Sequence, residues 1–182
     1  MYDCQTIIDR YYPGETPLRD IYMRHCRQVA DKALAIARDL RLDVDPDEIE
    51  AAAMLHDIGI FLTDAPGIHC HGTEPYLRHG LLGADLLRRE GAPEYCARVA
   101  ERHTGAGLTR EDIIADDLPL PLDRTFMPAT LLERLICYAD KFYSKSGDMK
   151  EKPLGRVLVS MSKFGPDSLA RFRSLHNEFT PA

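Results

Sequence analysis

Apolar residues recur along this chain at spacings of three and four, and no run alternates apolar with polar positions long enough to mark a strand. The pattern predicts an all-α fold, punctuated by Gly and Pro at helical lengths. A first helix over 18–41 sets Ile21, His25, Val29, Ala33 and Ile36 along one face, so His25 points inward. A second opens at Asp45-Pro46-Asp47-Glu48, with Asp45 as N-cap, Pro46 in the first turn and Glu48 at the reciprocal cap position. It runs to His56-Asp57. An irregular stretch over 63–74 then precedes a third helix over 75–90, which carries His79 one turn in and ends at Gly91. Pro93 opens a fourth helix, which ends in Arg102-His103-Thr104-Gly105.

Thr109-Arg110-Glu111-Asp112 marks a capped start to a short helix, and 117–128 reads as a proline-rich loop. Thr130 and Glu133 form a capping box for a long helix to about residue 145, on which Leu132, Ile136, Asp140 and Tyr143 share a face. Asp140 is thus a carboxylate inside an apolar stripe. Two further helices, over 153–163 and 166–179, are divided at Gly165. The expectation is one domain, a bundle of about seven helices with its core over 18–145 and the C-terminal helices over 153–179.

Composition narrows the class. A chain of 182 residues with 45% hydrophobic and 29% charged residues buries a core without disulfides or a structural metal. Its longest apolar runs, 51–55 and 58–62, fall far short of the roughly 20 residues of a membrane span. The start Met1-Tyr2-Asp3-Cys4 lacks the basic and apolar regions of a secretory signal, so the expected location is cytoplasmic. The five cysteines form no close pair and read as reduced thiols. A net charge of −6 argues against duplex nucleic acid as a partner, whereas small anionic substrates remain compatible if a dication reverses the local field. An oligomer is equally compatible with the sequence.

The chemistry concentrates in His25, the doublet His56-Asp57, His79, His103 and Asp140. Imidazoles and carboxylates pointing into a helical core cost several kcal/mol each when unpaired, on the order of 3–5 kcal/mol for a broken buried pair, and metal coordination relieves all six together. Taken singly, an inward histidine is more often a hydrogen-bonded core residue. Six nitrogen and oxygen donors from separate segments, near helix ends or on inward faces, point instead to a dication such as iron, manganese or zinc.

The details carry a resemblance. Val29 and Ala30 after His25, the run Leu55-His56-Asp57-Ile58-Gly59, and Tyr138-Ala139-Asp140-Lys141 together resemble the HD domain superfamily of metal-dependent phosphohydrolases, over about 24–145. The resemblance implies one metal held by His25, His56, Asp57 and Asp140. The added His79 and His103 resemble the subset with a dinuclear centre, in which Asp57 would bridge two divalent transition metal ions, iron first with manganese or zinc as alternatives. The turn Arg102-His103-Thr104-Gly105 is similar to that of small bacterial and archaeal members of unassigned substrate. The chain departs at Ile60, where many two-metal members carry a lysine, and it lacks the Gly-Tyr-Pro signature of the cyclic di-GMP phosphodiesterases.

The implied reaction is hydrolysis of a nucleotide or related phosphate ester. Two dications about 3.5–4 Å apart would lower the pKa of a shared water toward 7, giving a bridging hydroxide as nucleophile. Asp57 would organise that centre. Candidate phosphate contacts are Arg78, Arg102, Lys141 and Lys145, of which Lys141 adjoins a ligand, while His71 is placed to give a proton to the leaving group and His69 less so. Lys145, Lys150 and Lys152 near Gly147 read as a solvated loop or a lid. The same donors also resemble the HD-type mixed-valent di-iron oxygenases, which act on polyols or phosphonates. A non-catalytic metal-dependent binding module is the third reading.

Overall fold

A computed structural model describes residues 2–180. Among them nine helices run in the order α1 Cys4–Tyr11, α2 Pro17–Asp39, α3 Pro46–Leu55, α4 His79–Arg89, α5 Glu94–Arg102, α6 Arg110–Ala115, α7 Leu131–Asp140, α8 Leu154–Ser162 and α9 Pro166–Glu178. The all-α expectation holds. The expected caps are in place: Asp45 accepts from the Asp47 amide, and Thr109 with Asp112 and Thr130 with Glu133 close reciprocal boxes. No helix among the described residues is long and apolar enough to cross a membrane.

Helix α2 packs on α3 and α7, α3 on α5, and α4 on α5, while the α8–α9 pair docks on α7 through α9. Buried alanines at Ala30, Ala33, Ala52 and Ala53 present little side-chain volume where α2 and α3 meet. Two apolar clusters result. One gathers Val29, Leu135, Ile136, Tyr138 and Phe172, and the other gathers Ile8, Tyr22, Leu55, Ile58 and Leu87.

Three elements differ from the expectation. Helix α1 has too few residues to show a clear period, yet the Asp3 carboxylate caps it and Ile7 and Ile8 bury. The irregular stretch after α3 holds a two-residue hairpin, β1 Asp64–Ala65 pairing antiparallel with β2 Cys70–His71. Helix α7 stops at Asp140 rather than near residue 145. The amides of Lys141, Phe142 and Tyr143 bond back to the carbonyls of Tyr138, Ala139 and Asp140, a tightening to three-residue spacing that ends the helix. The chain then turns through Gly147 and Met149, both at positive φ. That early ending turns Lys145 back toward the core.

Two glycines set the spacing of the helices around the doublet. A Cβ on Gly59 would collide with the His79 carbonyl oxygen and the Gly83 amide, so the loop after Asp57 lies backbone-to-backbone against α4. A Cβ on Gly80 would strike the Ala100 carbonyl oxygen, which brings the start of α4 against the end of α5.

Candidate metal centre

Each donor sits near a helix end or on an inward face. His25 is buried mid-α2, His56 and Asp57 follow the last turn of α3, His79 starts α4, His103 follows α5, and Asp140 is the last residue of α7. The six side chains converge. His25, His56 and Asp57 bring one donor atom each within 4.8 Å of one another, and Asp57, His79 and His103 do the same. Asp57 belongs to both groups. Asp140 joins the first, with Oδ1 3.0 Å from His25 Nε2 and 3.6 Å from His56 Nε2.

Backbone carbonyls orient the rings. Nδ1 of His56 lies 2.7 Å from the Ala53 carbonyl oxygen, that of His79 2.7 Å from Tyr76, and that of His103 2.8 Å from Ala100. In each case the partner is three residues earlier, and an Nδ1–H donated there leaves the Nε2 lone pair facing inward. The Nε2 atoms then meet: 3.3 Å separates those of His25 and His56, and 3.0 Å those of His79 and His103. Lone pairs this close repel unless a proton or a cation lies between them.

Asp57 supplies the test of fit. Its Oδ2 lies 3.1 Å from His25 Nε2 and 3.2 Å from His56 Nε2, and its Oδ1 lies 3.4 Å from His79 Nε2 and 3.5 Å from His103 Nε2. Both oxygens are buried without a partner of hydrogen-bond geometry among the described residues, although the Lys145 ammonium also stands at ion-pair distance, 2.6 Å from Oδ2. Four nitrogens thus crowd a carboxylate at ion-pair distance without bonding angles, as donors arranged around a shared cation would. The mixed nitrogen and oxygen set suits a divalent transition metal.

The electrostatics are steep. Burial opposes the charge on Asp57, yet the Lys145 ammonium and His56 outweigh it and hold the carboxyl well below the usual range. Asp140 is likewise held low against burial, first by Lys141 and then by His25. Burial would depress His56, but Asp57 foremost holds it well above its ordinary value. His79 goes the other way, pushed down to about 3 chiefly by burial, and burial also lowers His103.

The proposed substrate contacts separate into two sets. Lys145 Nζ is 2.6 Å from Asp57 Oδ2, and Lys141 Nζ is 2.6 Å from Asp140 Oδ2 and donates to the His103 carbonyl at 2.9 Å. Both lysines line a cleft of about 610 Å³ that reaches Asp140 and also carries Lys152, Ser144 and Ser160. The other set turns away. Arg102 donates to Glu133 Oε2 at 3.0 Å, closing a half-buried ion pair between α5 and α7, and Arg78 pairs with Glu74 at 2.5 Å. Neither arginine lines the cleft. His71 stands exposed on β2 opposite Asp64, and His69 is exposed in the hairpin turn, so neither reaches the cleft either. Of the expected substrate contacts, Arg78, Arg102 and His71 thus lie off the cleft; for Arg102, adjacency to a donor in sequence puts it about 100° round the helix axis.

Sequence reasoning missed Tyr76. Its ring stacks on His79 at 4.7 Å between centroids and 24° between planes, its carbonyl faces Nδ1 of the same histidine, and it lines the cleft under Lys145. The position three before a ligand histidine was the available signal.

An all-α bundle that gathers four imidazoles and two carboxylates around one shared aspartate is the architecture of a histidine–aspartate metal protein. The HD domain family model matches residues 22–144, and the chain belongs to the HD domain family. Over 158 residues the chain is 34% identical to a tRNA (cytidine(56)-2'-O)-methyltransferase of Thermoplasma volcanium, covering 86% of this chain and 41% of that protein. It is 37% identical over 121 residues to an uncharacterized protein of Methanocaldococcus jannaschii, covering 65% of this chain and 63% of the relative. A tRNA (cytidine(56)-2'-O)-methyltransferase of Picrophilus torridus is 29% identical over 161 residues, covering 88% of this chain and 42% of that protein. The chain thus spans less than half of the two methyltransferases and just under two-thirds of the Methanocaldococcus relative. No solved structure matches it.

Proposed function

We propose that this protein is a metal-dependent phosphohydrolase that cleaves a nucleotide or a related small phosphate ester. The observation that carries the reading is the pair of donor groups sharing Asp57 beside a cleft walled by Lys141, Lys145 and Lys152. Divalent cations held there would supply Lewis acidity and water of lowered pKa. His25, His56, Asp57 and Asp140 would hold one ion, and Asp57, His79 and His103 a second.

The chain's own groups do the rest. The three Nδ1–carbonyl contacts keep His56, His79 and His103 in the tautomer that presents Nε2 inward. Lys141, bonded to Asp140 and to the His103 carbonyl, is a positioning residue that ties two donors from different helices together. Lys145 and Lys152 would balance the charge of an entering phosphate, with Lys145 Nζ donating to a phosphoryl oxygen. Methyl transfer is not carried over from the relatives, because the chain covers only 41% and 42% of the two methyltransferases.

Phosphate release from a panel of nucleotides, sugar phosphates and a 3'-phosphorylated RNA oligonucleotide, assayed with Mn²⁺ or Fe²⁺ under anaerobic conditions, tests the reading. The RNA belongs in the panel because two relatives are named for tRNA. Turnover of at least one ester, lost in Asp57→Ala, is expected. Metal-loaded protein that releases no phosphate from any ester, yet consumes oxygen with a diol or hydroxyphosphonate, would make it an oxygenase instead.

A further inference from the structure

Three lysines line the cleft of about 610 Å³ beside the donor cluster, and they are not equivalent. Lys141 is paired with Asp140 and Lys145 with Asp57, each at 2.6 Å. Lys152 carries no ion pair among the described residues. Its backbone is fixed all the same. The Lys152 amide donates to the Phe142 carbonyl at 2.7 Å, closing the loop over 142–152, and Pro153 follows as the N-cap of α8 with its φ set by the ring. The side chain therefore starts from a held point at a cleft walled by Val157, Met161 and Phe164, with Ser144, Ser146 and Ser160 among its polar residues.

We propose that Lys152 is a nucleophilic amine that captures the carbonyl group of a small aldehyde or ketone bearing a phosphate, and holds it in the cleft as an imine. This covalent site is separate from ester hydrolysis. It uses none of the six donors, and a captured carbonyl compound would close the cleft to an ester.

An amine attacks only through its lone pair, so the reactive lysine is the one least held as an ammonium. Lys141 and Lys145 have carboxylates that favour the charged form, whereas Lys152 has none and faces the charge of both. Burial pushes its pKa below the ordinary lysine value, and Lys141 and Lys145 push the same way against the pull of Asp140. The paired lysines have a second use, since their charge favours a phosphate in the same cleft. In the capture step the lone pair forms the C–N bond, and the two amine hydrogens leave with the carbonyl oxygen as water. A C=N bond thus replaces C=O, and neither an oxidant nor a reductant is consumed.

The other lysines serve as internal controls. Lys32 is paired with Glu151 at 2.7 Å, Lys150 is 80% exposed with Asp148 3.8 Å away, and Lys163 is exposed after the last turn of α8.

Pyridoxal 5'-phosphate, an aldehyde that carries a phosphate, is the probe. The full chain is incubated with it, borohydride adds hydride to any imine and fixes the adduct, and peptide mass spectrometry maps the modified lysines. Lys152 should be labelled about tenfold faster than Lys150 or Lys163. Excess inorganic phosphate should slow labelling of Lys152 and not of those two, and pyridoxal without its phosphate should label Lys152 more slowly. Lys152→Arg, which keeps a cation and removes the nucleophile, should reduce total incorporation to that of the exposed lysines. Label spread evenly over Lys150, Lys152 and Lys163, label falling first on Lys141 or Lys145, or unchanged incorporation in folded Lys152→Arg would overturn the proposal. Should that variant fail to fold, the wild-type map with and without inorganic phosphate decides by itself.

Discussion

The Lys145 ammonium lies 2.6 Å from Asp57 Oδ2, in contact with the carboxylate that both donor groups share. Asp57 holds it well above its ordinary pKa against the cost of burial, so it enters the core charged. A protein cation thus balances the charge of the shared aspartate. Lys145→Met should lower the stability of metal-free protein by about 3–5 kcal/mol, the usual loss when one member of a buried pair is removed. Saturating Mn²⁺ should restore much of that loss, since a ligand that binds only the folded state stabilises it. Thermal melts with and without the metal measure both effects, and a variant as stable as wild type without metal would contradict the assignment.

Asp57→Ala should remove bound metal and activity together, because both groups lose their common member. His79→Ala should keep the ion held by His25, His56 and Asp140 and lose the other. Elemental analysis of anaerobically purified variants distinguishes the two. Full occupancy in Asp57→Ala would refute the shared-aspartate arrangement.

Gly59→Ala tests the packing that aligns α4 with the doublet. The added methyl group has backbone on both sides, the His79 carbonyl oxygen and the Gly83 amide, so no side-chain rotation relieves it. The expected cost is about 1–3 kcal/mol, with kcat falling more than stability because His79 moves away from His103. Metal content measured beside the melt separates the two losses.

Glu133 links α5 to α7 with a defined pH signature. Burial raises its pKa, but the amides of Ala129 and Thr130 and the Arg102 guanidinium outweigh that and hold it below its ordinary value. A depressed folded-state pKa contributes stability above the unfolded value, and that contribution disappears as the pH falls through the folded value. Glu133→Gln should therefore destabilise by about 1–2 kcal/mol at pH 7, and the difference from wild type should shrink below about pH 4. A difference that stays constant down to pH 3 would show that the charge is not what stabilises the box.

Arg102→Lys separates a structural arginine from a phosphate clamp. Lysine cannot reproduce the fixed fork facing Glu133, so the melting temperature should drop while KM for any turned-over ester stays within about twofold of wild type. A tenfold rise in KM at unchanged stability would return Arg102 to the substrate site.

Much of this was legible in the chain itself. Spacing of three and four placed the inward faces of α2 and α7, Asp45, Thr109 and Thr130 marked helix starts, and the donor set could be read as residue types that a core does not hold unpaired. Those signals are local: a cap acts within one turn, and a helical face repeats over a few residues. The tertiary structure alone decided that Asp57 is common to two donor groups, that Lys145 reaches it, and that Arg102 and His71 face elsewhere. These depend on where α7 unwinds after Asp140 and on how closely Gly59 and Gly80 let three helices approach. Such distances are set by packing between segments far apart in sequence, which no local pattern encodes.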